Sequence, residues 1–179
     1  MLTNMLLRRT FEEPLSVADV LERARSSAWC YLLHKVDWRG SFLSMDGRIL
    51  TCWFAAVDAE SVRIALRHSG ADTQFLFPCT VHEAAEPPIP NVIVERSFQD
   101  PVTDEEVKLV AEAAIGCFDT HRVMYARTLF SLDRKRMVCM YAASDAESVR
   151  IAQRETGLAV DTIWAFQRIS PAMLNLPGT

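Results

Sequence analysis

The octapeptide Asp58–Ala65, DAESVRIA, returns unchanged 87 residues later as Asp145–Ala152. At the same offset, and without a gap, further identities extend the match over most of the chain. Among them are Arg9 with Arg96, Cys30 with Cys117, His34 with His121, Cys52 with Cys139, and Gly70 with Gly157. An ungapped self-match of this length indicates an internal tandem duplication.

The second copy predicts four strands and two helices in the order βαββαβ. Runs rich in β-branched and aromatic residues predict strands at Asn91–Phe98, His121–Ser131, Met137–Ala142 and Asp161–Ile169. Thr103 and Glu106 form a capping-box pattern, which starts a helix running to about Gly116. A second helix starts at Ser144 or Asp145 and ends at Gly157. The first copy repeats the series at Leu6–Phe11, Ser16–Ser27, Leu33–Ser44, Arg48–Ala55, Asp58–Ser69 and Gln74–His82.

This order is the ferredoxin-like split motif, a four-stranded antiparallel sheet with both helices on one face. We therefore expect an α+β protein made of two tandem ferredoxin-like repeats, 1–83 and 91–179, joined by the Pro-rich linker 84–90. Packing the two bare sheet faces together predicts a fused, pseudo-dimeric α+β barrel with a cavity between the sheets. The alternative is side-by-side sheets whose open faces are covered by a second chain.

Composition excludes several classes of function. A net charge of −4 and a pI near 5.6 make nucleic acid an unsuitable partner. No apolar run reaches the length needed to cross a bilayer, and the basic residues near the start follow the apolar ones, so neither a membrane nor an export signal is predicted. The five cysteines lack CxxC spacing and read as free, inert thiols in a cytoplasmic protein.

Catalytic and cofactor motifs are missing from the sequence: it has no GxGxxG, Walker A, HExxH or GxSxG pattern and no paired CxxC. Candidates therefore come from strand positions. Glu95 interrupts an apolar run and needs water or a partner, since a buried unpaired carboxylate is costly. An ion pair with Arg127, on a strand expected to be adjacent, or with Arg96 would supply that partner. The first copy has Arg8 where the second has Glu95, which predicts either a divergent pocket or Arg8 facing Glu95 across the pseudo-twofold axis.

His34 and His121 occupy matching positions at the predicted start of the second strand of each copy. They are either a symmetric site or local caps at a strand end. Tyr125 is one of several large rings on the central strands, which form either core or the wall of a pocket suited to an apolar or aromatic ligand.

Three stretches of the second copy, VERSF (Val94–Phe98), VMYARTLFS (Val123–Ser131) and Val138–Ile163, resemble a bacterial family of small ferredoxin-like proteins. That family is catalogued as a domain of unknown function, and some members are described as nickel-binding. The resemblance implies a site of acidic and histidine side chains projecting from the strands, with Glu95 at the acidic position. It also places Ser97 and Arg127 where histidines are expected and Ala142 where an acid is expected, and an arginine repels a cation. The nickel site that the resemblance implies is therefore degenerate, and we expect no cofactor. The alternative is that the protein binds nickel or another divalent metal.

The function predicted from these features is a binding module that holds a small ligand, or a divalent metal, between two ferredoxin-like sheets. Its candidate ligand-binding residues are Glu95, His121, Tyr125, Arg127, His34 and Arg8. One alternative is a cofactor-free α+β-barrel enzyme of the isomerase, cyclase or oxygenase type, with His121, Glu95 or Arg127 as acid, base or anion clamp. The other is an interaction protein that assembles into a homo-oligomer through its sheet faces.

Overall fold

The computed structural model describes residues 2–67, 70–73, 75–157 and 159–175, without the side chains of residues 110–115 and 175. The first series of elements is β1 (Thr3–Thr10), α1 (Val17–Leu33), β2 (Asp37–Ser44), β3 (Ile49–Ala56), α2 (Ala59–Arg67) and β4 (Phe75–Glu83). The second is β5 (Val92–Ser97), α3 (Asp104–Thr120), β6 (Met124–Ser131), β7 (Arg136–Ala142), α4 (Ala146–Glu155) and β8 (Thr162–Ile169), followed by a short 3₁₀ helix at Pro171–Asn175. The predicted α+β class and the order of elements are confirmed, while the 3₁₀ helix was not predicted.

The chain divides into two compact units. One is drawn from Met1–Cys79 and Gln167–Thr179, and the other is Thr80–Phe166. Ser69, the predicted end of the helix that corresponds to α2, and Gln74, the predicted start of the strand that corresponds to β4, lie outside the described residues. None of the helices in the described part of the chain combines the length and apolar character needed to span a bilayer.

In the first unit, β1 lies between β3 and β4, and β2 pairs with the outer side of β3, all antiparallel. The strand order is therefore β4-β1-β3-β2. Residues on one face of this sheet pack beneath α1 and α2. That core includes Met5, Leu7, Leu21, Leu50, Phe54, Val62 and Ile169, each at most 2% exposed.

The second unit has the matching arrangement. β5 lies between β7 and β8, and β6 pairs with the outer side of β7, so the order is β8-β5-β7-β6. Its helix-side core includes Val92, Val94, Phe130, Cys139, Tyr141, Val149 and Ala152. Burial of these apolar side chains supplies the main driving force for folding.

Capping at the helix starts confirms the sequence patterns. The Thr103 hydroxyl accepts from the Glu106 N–H at 3.2 Å, and the Glu106 carboxylate accepts from the Thr103 N–H at 2.7 Å. Ser16 and Asp19 form the same reciprocal pair at α1. Asp145 caps α4 through the Ser148 N–H at 2.7 Å. Each cap satisfies backbone donors that have no partner within the helix.

The first helix of each copy runs further than predicted, which corrects the placement of two histidines. α1 and α3 continue to Leu33 and Thr120, so His34 and His121 are helix C-caps rather than the first residues of strands. Tyr31 and Phe118 lie between the predicted helix and the predicted strand of each copy, and in the structure they belong to the last turns of the helices and pack into the helix-side cores.

α1 and α3 are each followed by a residue in the left-handed conformation, at matching positions of the two copies. Lys35 and Arg122 have φ of 54°, a conformation that stops a helix and that glycine usually supplies.

A bulge at the same place in β2 and β6 shifts the register between Trp38 and Gly40 and between Tyr125 and Arg127. Gly40 has φ of +142°, and a Cβ there would lie 2.9 Å from the Ile169 carbonyl oxygen. The difference between Gly40 and Arg127 in the two copies therefore has a backbone cause in the first unit, because a side chain at position 40 would collide with the end of β8.

Candidate functional site

The face of the second unit's sheet that carries no helix contains two of the predicted site residues. Side chains alternate between faces along a strand. Val92 and Val94 pack beneath the helices, so Ile93 and Glu95 point to the opposite face. This helix-free face includes Ile93, Glu95, Arg127, Leu129, Val138, Met140, Thr162, Trp164 and Phe166. Ile93, Leu129 and Met140 are fully buried, whereas Glu95 is partly buried.

Glu95 has the partner that its position requires. The Thr162 hydroxyl on the paired strand β8 donates to the Glu95 Oε2 at 2.7 Å. Arg96 points the other way, beneath the helices, and is not the partner of Glu95. The carboxylate of Glu95 is partly buried, and this hydrogen bond offsets part of the cost of removing it from water.

Arg127 pairs with a residue that sequence reasoning did not single out. Its Nη1 lies 3.1 Å from the Glu83 Oε1, and its side chain is 16% exposed against 43% for Glu83. The prediction that β5 and β6 are neighbours is wrong, because β7 pairs with both of them. Glu95 and Arg127 are therefore two strand spacings apart, about 10 Å across the sheet.

Trp164 is the polar residue of this face that the sequence analysis missed. The side chain is 8% exposed, and its indole Nε1 has no hydrogen-bond partner in the described part of the chain. Its ring meets that of Phe166 edge to face, with centroids 6.2 Å apart. The alternation of TIWAFQRI in β8, in which Ile163 packs beneath the helices, was the available signal.

Tyr125 and His121 lie on the helix side of the same unit, away from Glu95 and Arg127. The Tyr125 hydroxyl donates to the His82 carbonyl oxygen at 2.8 Å. Burial raises the pKa of Tyr125, chiefly through desolvation. The His121 ring nitrogen lies 3.0 Å from the Glu155 carboxylate and connects the ends of α3 and α4. The structure therefore does not bring these two residues together with Glu95 and Arg127.

The remaining two candidates belong to the first unit. His34 caps α1, with its backbone N–H donating to the Cys30 carbonyl oxygen at 3.0 Å. Arg8 is partly buried on the helix-free face of β1, since its neighbour Leu7 packs beneath the helices. That Arg8 faces Glu95 stays a prediction.

A buried polar network lies on the helix side of the second unit. Arg96 is 6% exposed, and its guanidinium donates to the Gln153 Oε1 at 2.5 Å and to the Ala159 carbonyl oxygen at 3.3 Å. Nearby, burial raises the pKa of Tyr141, and the positive charge of Arg96 opposes that shift. The partner of the buried Arg96 cation is thus a neutral amide, that of the fully buried Gln153, rather than a carboxylate. Comparing the sequences of the two copies did not reveal this pair.

The repeated thiols sit in matching hydrogen-bonded positions. Ser41 donates to the Cys52 Sγ at 3.1 Å, and Thr128 donates to the Cys139 Sγ at 3.2 Å. All five cysteines are free, as expected, with Cys30 and Cys117 partly exposed and the other three buried. Burial raises the pKa of Cys79 to about 12, which keeps this thiol protonated and unreactive.

Nickel fits these residues poorly. Across the described residues, no three histidine, cysteine, aspartate or glutamate side chains come close enough together to hold a metal ion. The Glu95 carboxylate accepts a hydrogen bond from the Thr162 hydroxyl, and Arg127 brings a positive charge to the same face. A borderline cation that prefers imidazole ligands has no donor set here.

Comparison with known families confirms the predicted resemblance for the second repeat. Residues 93–165 match the family described as "Nickel responsive protein SCO4226-like". The match to the SCO4226-like family covers about two fifths of the chain and leaves the first repeat outside it. Glu95, Arg127 and Trp164 all lie within the matched segment. No curated protein sequence matches this chain.

Solved structures resemble the chain over nearly its whole length. A putative chlorite dismutase has a TM-score of 0.54 at 12% identity, covering 97% of this chain and 96% of its own. A heme-binding protein from Thermus thermophilus has a TM-score of 0.48 at 11% identity, with 98% and 96% covered. A putative monooxygenase from Lactobacillus acidophilus NCFM has a TM-score of 0.43 at 10% identity, with 93% and 94% covered. Of these three, the first shows a shared fold.

The prediction that the protein holds no cofactor is contradicted by these comparisons, which place a protein described as heme-binding and one described as a putative chlorite dismutase among the structural neighbours. In the second unit, the described histidines do not reach the helix-free face. His121 caps α3, and the His82 ring bonds the Thr80 hydroxyl at 2.9 Å. A heme coordinated by histidine on that face therefore does not fit the second unit.

Proposed function

We propose that the protein is a small-molecule binding module whose ligand lies on the helix-free face of the second repeat. The observation that carries this proposal is the buried indole N–H of Trp164, which has no acceptor in the described part of the chain. Leaving a buried donor unsatisfied costs about 1–3 kcal/mol. A ligand that supplies an acceptor atom at this point recovers that free energy.

The surroundings of Trp164 define the chemistry of the ligand. The edge-to-face pair with Phe166 and the buried side chains of Ile93 and Met140 favour a flat, apolar body. The indole N–H favours one carbonyl or phenolic oxygen on that body. The charge of Arg127 is balanced by Glu83, so the ligand needs no net charge. A flat, uncharged, conjugated molecule that places one carbonyl oxygen at the indole N–H, such as a naphthoquinone, fits this face best.

The fused, pseudo-dimeric barrel and the cytoplasmic location stay predictions from the sequence, and this proposal does not depend on them. The enzyme alternative also stays a prediction. Turnover of a bound probe, lost in a Glu95→Gln variant, would favour it over a binding module.

The test compares Trp164→Phe with Trp38→Phe. Trp38 is also buried, at 7% exposure, but its Nε1 already donates to the Ser41 hydroxyl at 3.0 Å. Wild-type protein is titrated with a 1,4-naphthoquinone, hemin and NiCl₂, and the melting temperature and the dissociation constant are measured. We expect the quinone to bind and to raise the melting temperature, because a ligand of the native state stabilises it.

Trp164→Phe keeps an aromatic ring but removes the N–H together with the five-membered ring of the indole, so quinone affinity is expected to fall about 5- to 20-fold. Trp38→Phe should leave it unchanged. Binding of none of the probes, or equal quinone affinity in wild type and Trp164→Phe, would refute the proposal. A nickel-dependent shift in melting temperature would instead restore the metal-binding interpretation, and a saturable shift of the Soret band of hemin on addition of the protein would assign a heme ligand.

A further inference from the structure

Three large apolar side chains stand exposed on the last two turns of α1. Trp29 is 70% exposed, Leu32 is 73% exposed and Leu33 is 61% exposed. Their spacing of three and four residues places them on one side of the helix. We call these three residues the α1 patch. A lone exposed leucine is ordinary, but a cluster that includes a tryptophan marks an interaction surface.

The second repeat shows that the fold does not require these side chains. At the same offset, α3 carries Gly116, Asp119 and Thr120, which are also exposed. The two helices have the same length, the same type of capping box and the same C-cap hydrogen bond to a cysteine carbonyl. The apolar character of the α1 patch is therefore not required by the fold of the repeat.

The area and charge of the α1 patch indicate what contacts it. At these exposures the three side chains leave roughly 400–450 Å² of surface in water, enough for the apolar centre of an interface that buries about 800 Å² per partner. The last turn of α1 contains no basic residue, and the chain has a net charge of −4. Recognition of an anionic membrane surface uses clusters of four or more basic residues beside an apolar face, and the sequence of α1 supplies Arg23 and Arg25, with Lys35 just after the helix.

We propose that the α1 patch is a two-fold interface with a second copy of this chain. Because the patch occurs once per chain, a self-complementary contact closes at two subunits and forms no filament. Burial of Trp29 at the centre supplies the kind of aromatic anchor that dominates interface energetics. This interface uses the outer side of a helix and differs from the sheet-face assembly expected from the sequence.

The test transplants residues between the two repeats. The variant Leu32→Asp/Leu33→Thr gives α1 the residues found at Asp119 and Thr120. The control is Leu109→Glu, which replaces a leucine of α3 that is 67% exposed. Molar mass is measured by sedimentation equilibrium over a range of concentrations, together with acrylamide quenching of tryptophan fluorescence and the melting temperature of the dilute protein.

We expect wild type and Leu109→Glu to reach twice the chain mass of 20.2 kDa, with quenching that decreases as the dimer forms around Trp29. The double variant should stay monomeric, with the dimer dissociation constant raised at least about 100-fold and an unchanged melting temperature at low concentration. A wild-type monomer at all concentrations would overturn the proposal. A dimer that survives the double substitution would do the same, as would wild-type binding to vesicles containing phosphatidylserine that the double variant loses.

Discussion

Replacing Gln153 by leucine tests how much the buried partner of Arg96 contributes to stability. The first copy already has Leu66 at the matching position, where Arg9 is more exposed than Arg96. In the second copy, the fully buried Gln153 Oε1 accepts from the Arg96 guanidinium at 2.5 Å. The substitution removes the closest acceptor of a buried positive charge and leaves the more distant Ala159 carbonyl oxygen.

The magnitude follows from two opposing contributions. Loss of a hydrogen bond to a charged group costs about 1.5–3 kcal/mol. The Gln153 Nε2, buried without a partner in the described part of the chain, is removed at the same time, which returns about 1 kcal/mol. Gln153→Leu is therefore expected to lower the free energy of unfolding by about 1–2 kcal/mol. At this chain length the melting temperature should fall by about 2–8 °C.

Urea unfolding followed by far-UV circular dichroism and by tryptophan fluorescence measures the change. Gln167→Leu, at an exposed position of β8, is the control and should change stability by less than about 0.5 kcal/mol. The double variant Arg96→Met/Gln153→Leu removes the charge together with its partner and should recover most of the loss. A Gln153→Leu protein as stable as wild type, or a double variant no more stable than the additive sum of the two single variants, would show that the pair does not carry this energy.

Three further changes have defined outcomes. Thr103→Ala removes the capping hydroxyl of α3 and should lower the free energy of unfolding by about 1 kcal/mol, measured in urea. Gly40→Ala should cost about 1–3 kcal/mol, because it combines a positive φ with a collision at the Ile169 carbonyl oxygen; an unchanged melting temperature would contradict this. The Ser131 hydroxyl, and then a backbone N–H, hold the pKa of Asp133 below its usual range. Since the folded-state pKa is depressed, this contribution is present above about pH 4 and is lost as the pH falls further, so Asp133→Asn should flatten the acid limb of a stability-against-pH profile.

Much of the fold was predictable because the relevant signals are local. The capping box at Thr103, the Asp145 cap and the alternation of VIVERS in β5 each depend on residues within a few positions of one another. The ends of the first helices were predicted less well. The last turns contain Tyr31 and Phe118, whose rings pack edge to face against Phe54 and Tyr141 in the following strands, contacts that no local pattern reports.

The candidate site was predictable only in part. Glu95 and Arg127 were singled out as candidates from the sequence, whereas Thr162 and Glu83, which they contact, were not. Thr162 is 67 residues from Glu95 along the chain, and Glu83 lies in the segment before the second repeat. That the indole N–H of Trp164 finds no acceptor among the described residues has no signature in the sequence, because an unsatisfied donor is a property of its surroundings.

The sequence by itself determined the α+β class, the order of strands and helices, and the helix starts at Ser16 and Thr103. These features follow from residue identity at fixed short spacings, where sterics and hydrogen bonding act along the chain. The tertiary structure alone decided that β7 separates Glu95 from Arg127, that Arg96 pairs with Gln153 across 57 residues, and that the end of α1 presents Trp29 to solvent. These contacts join distant segments, and their energies depend on burial, which is defined only once the sheet and helices have packed.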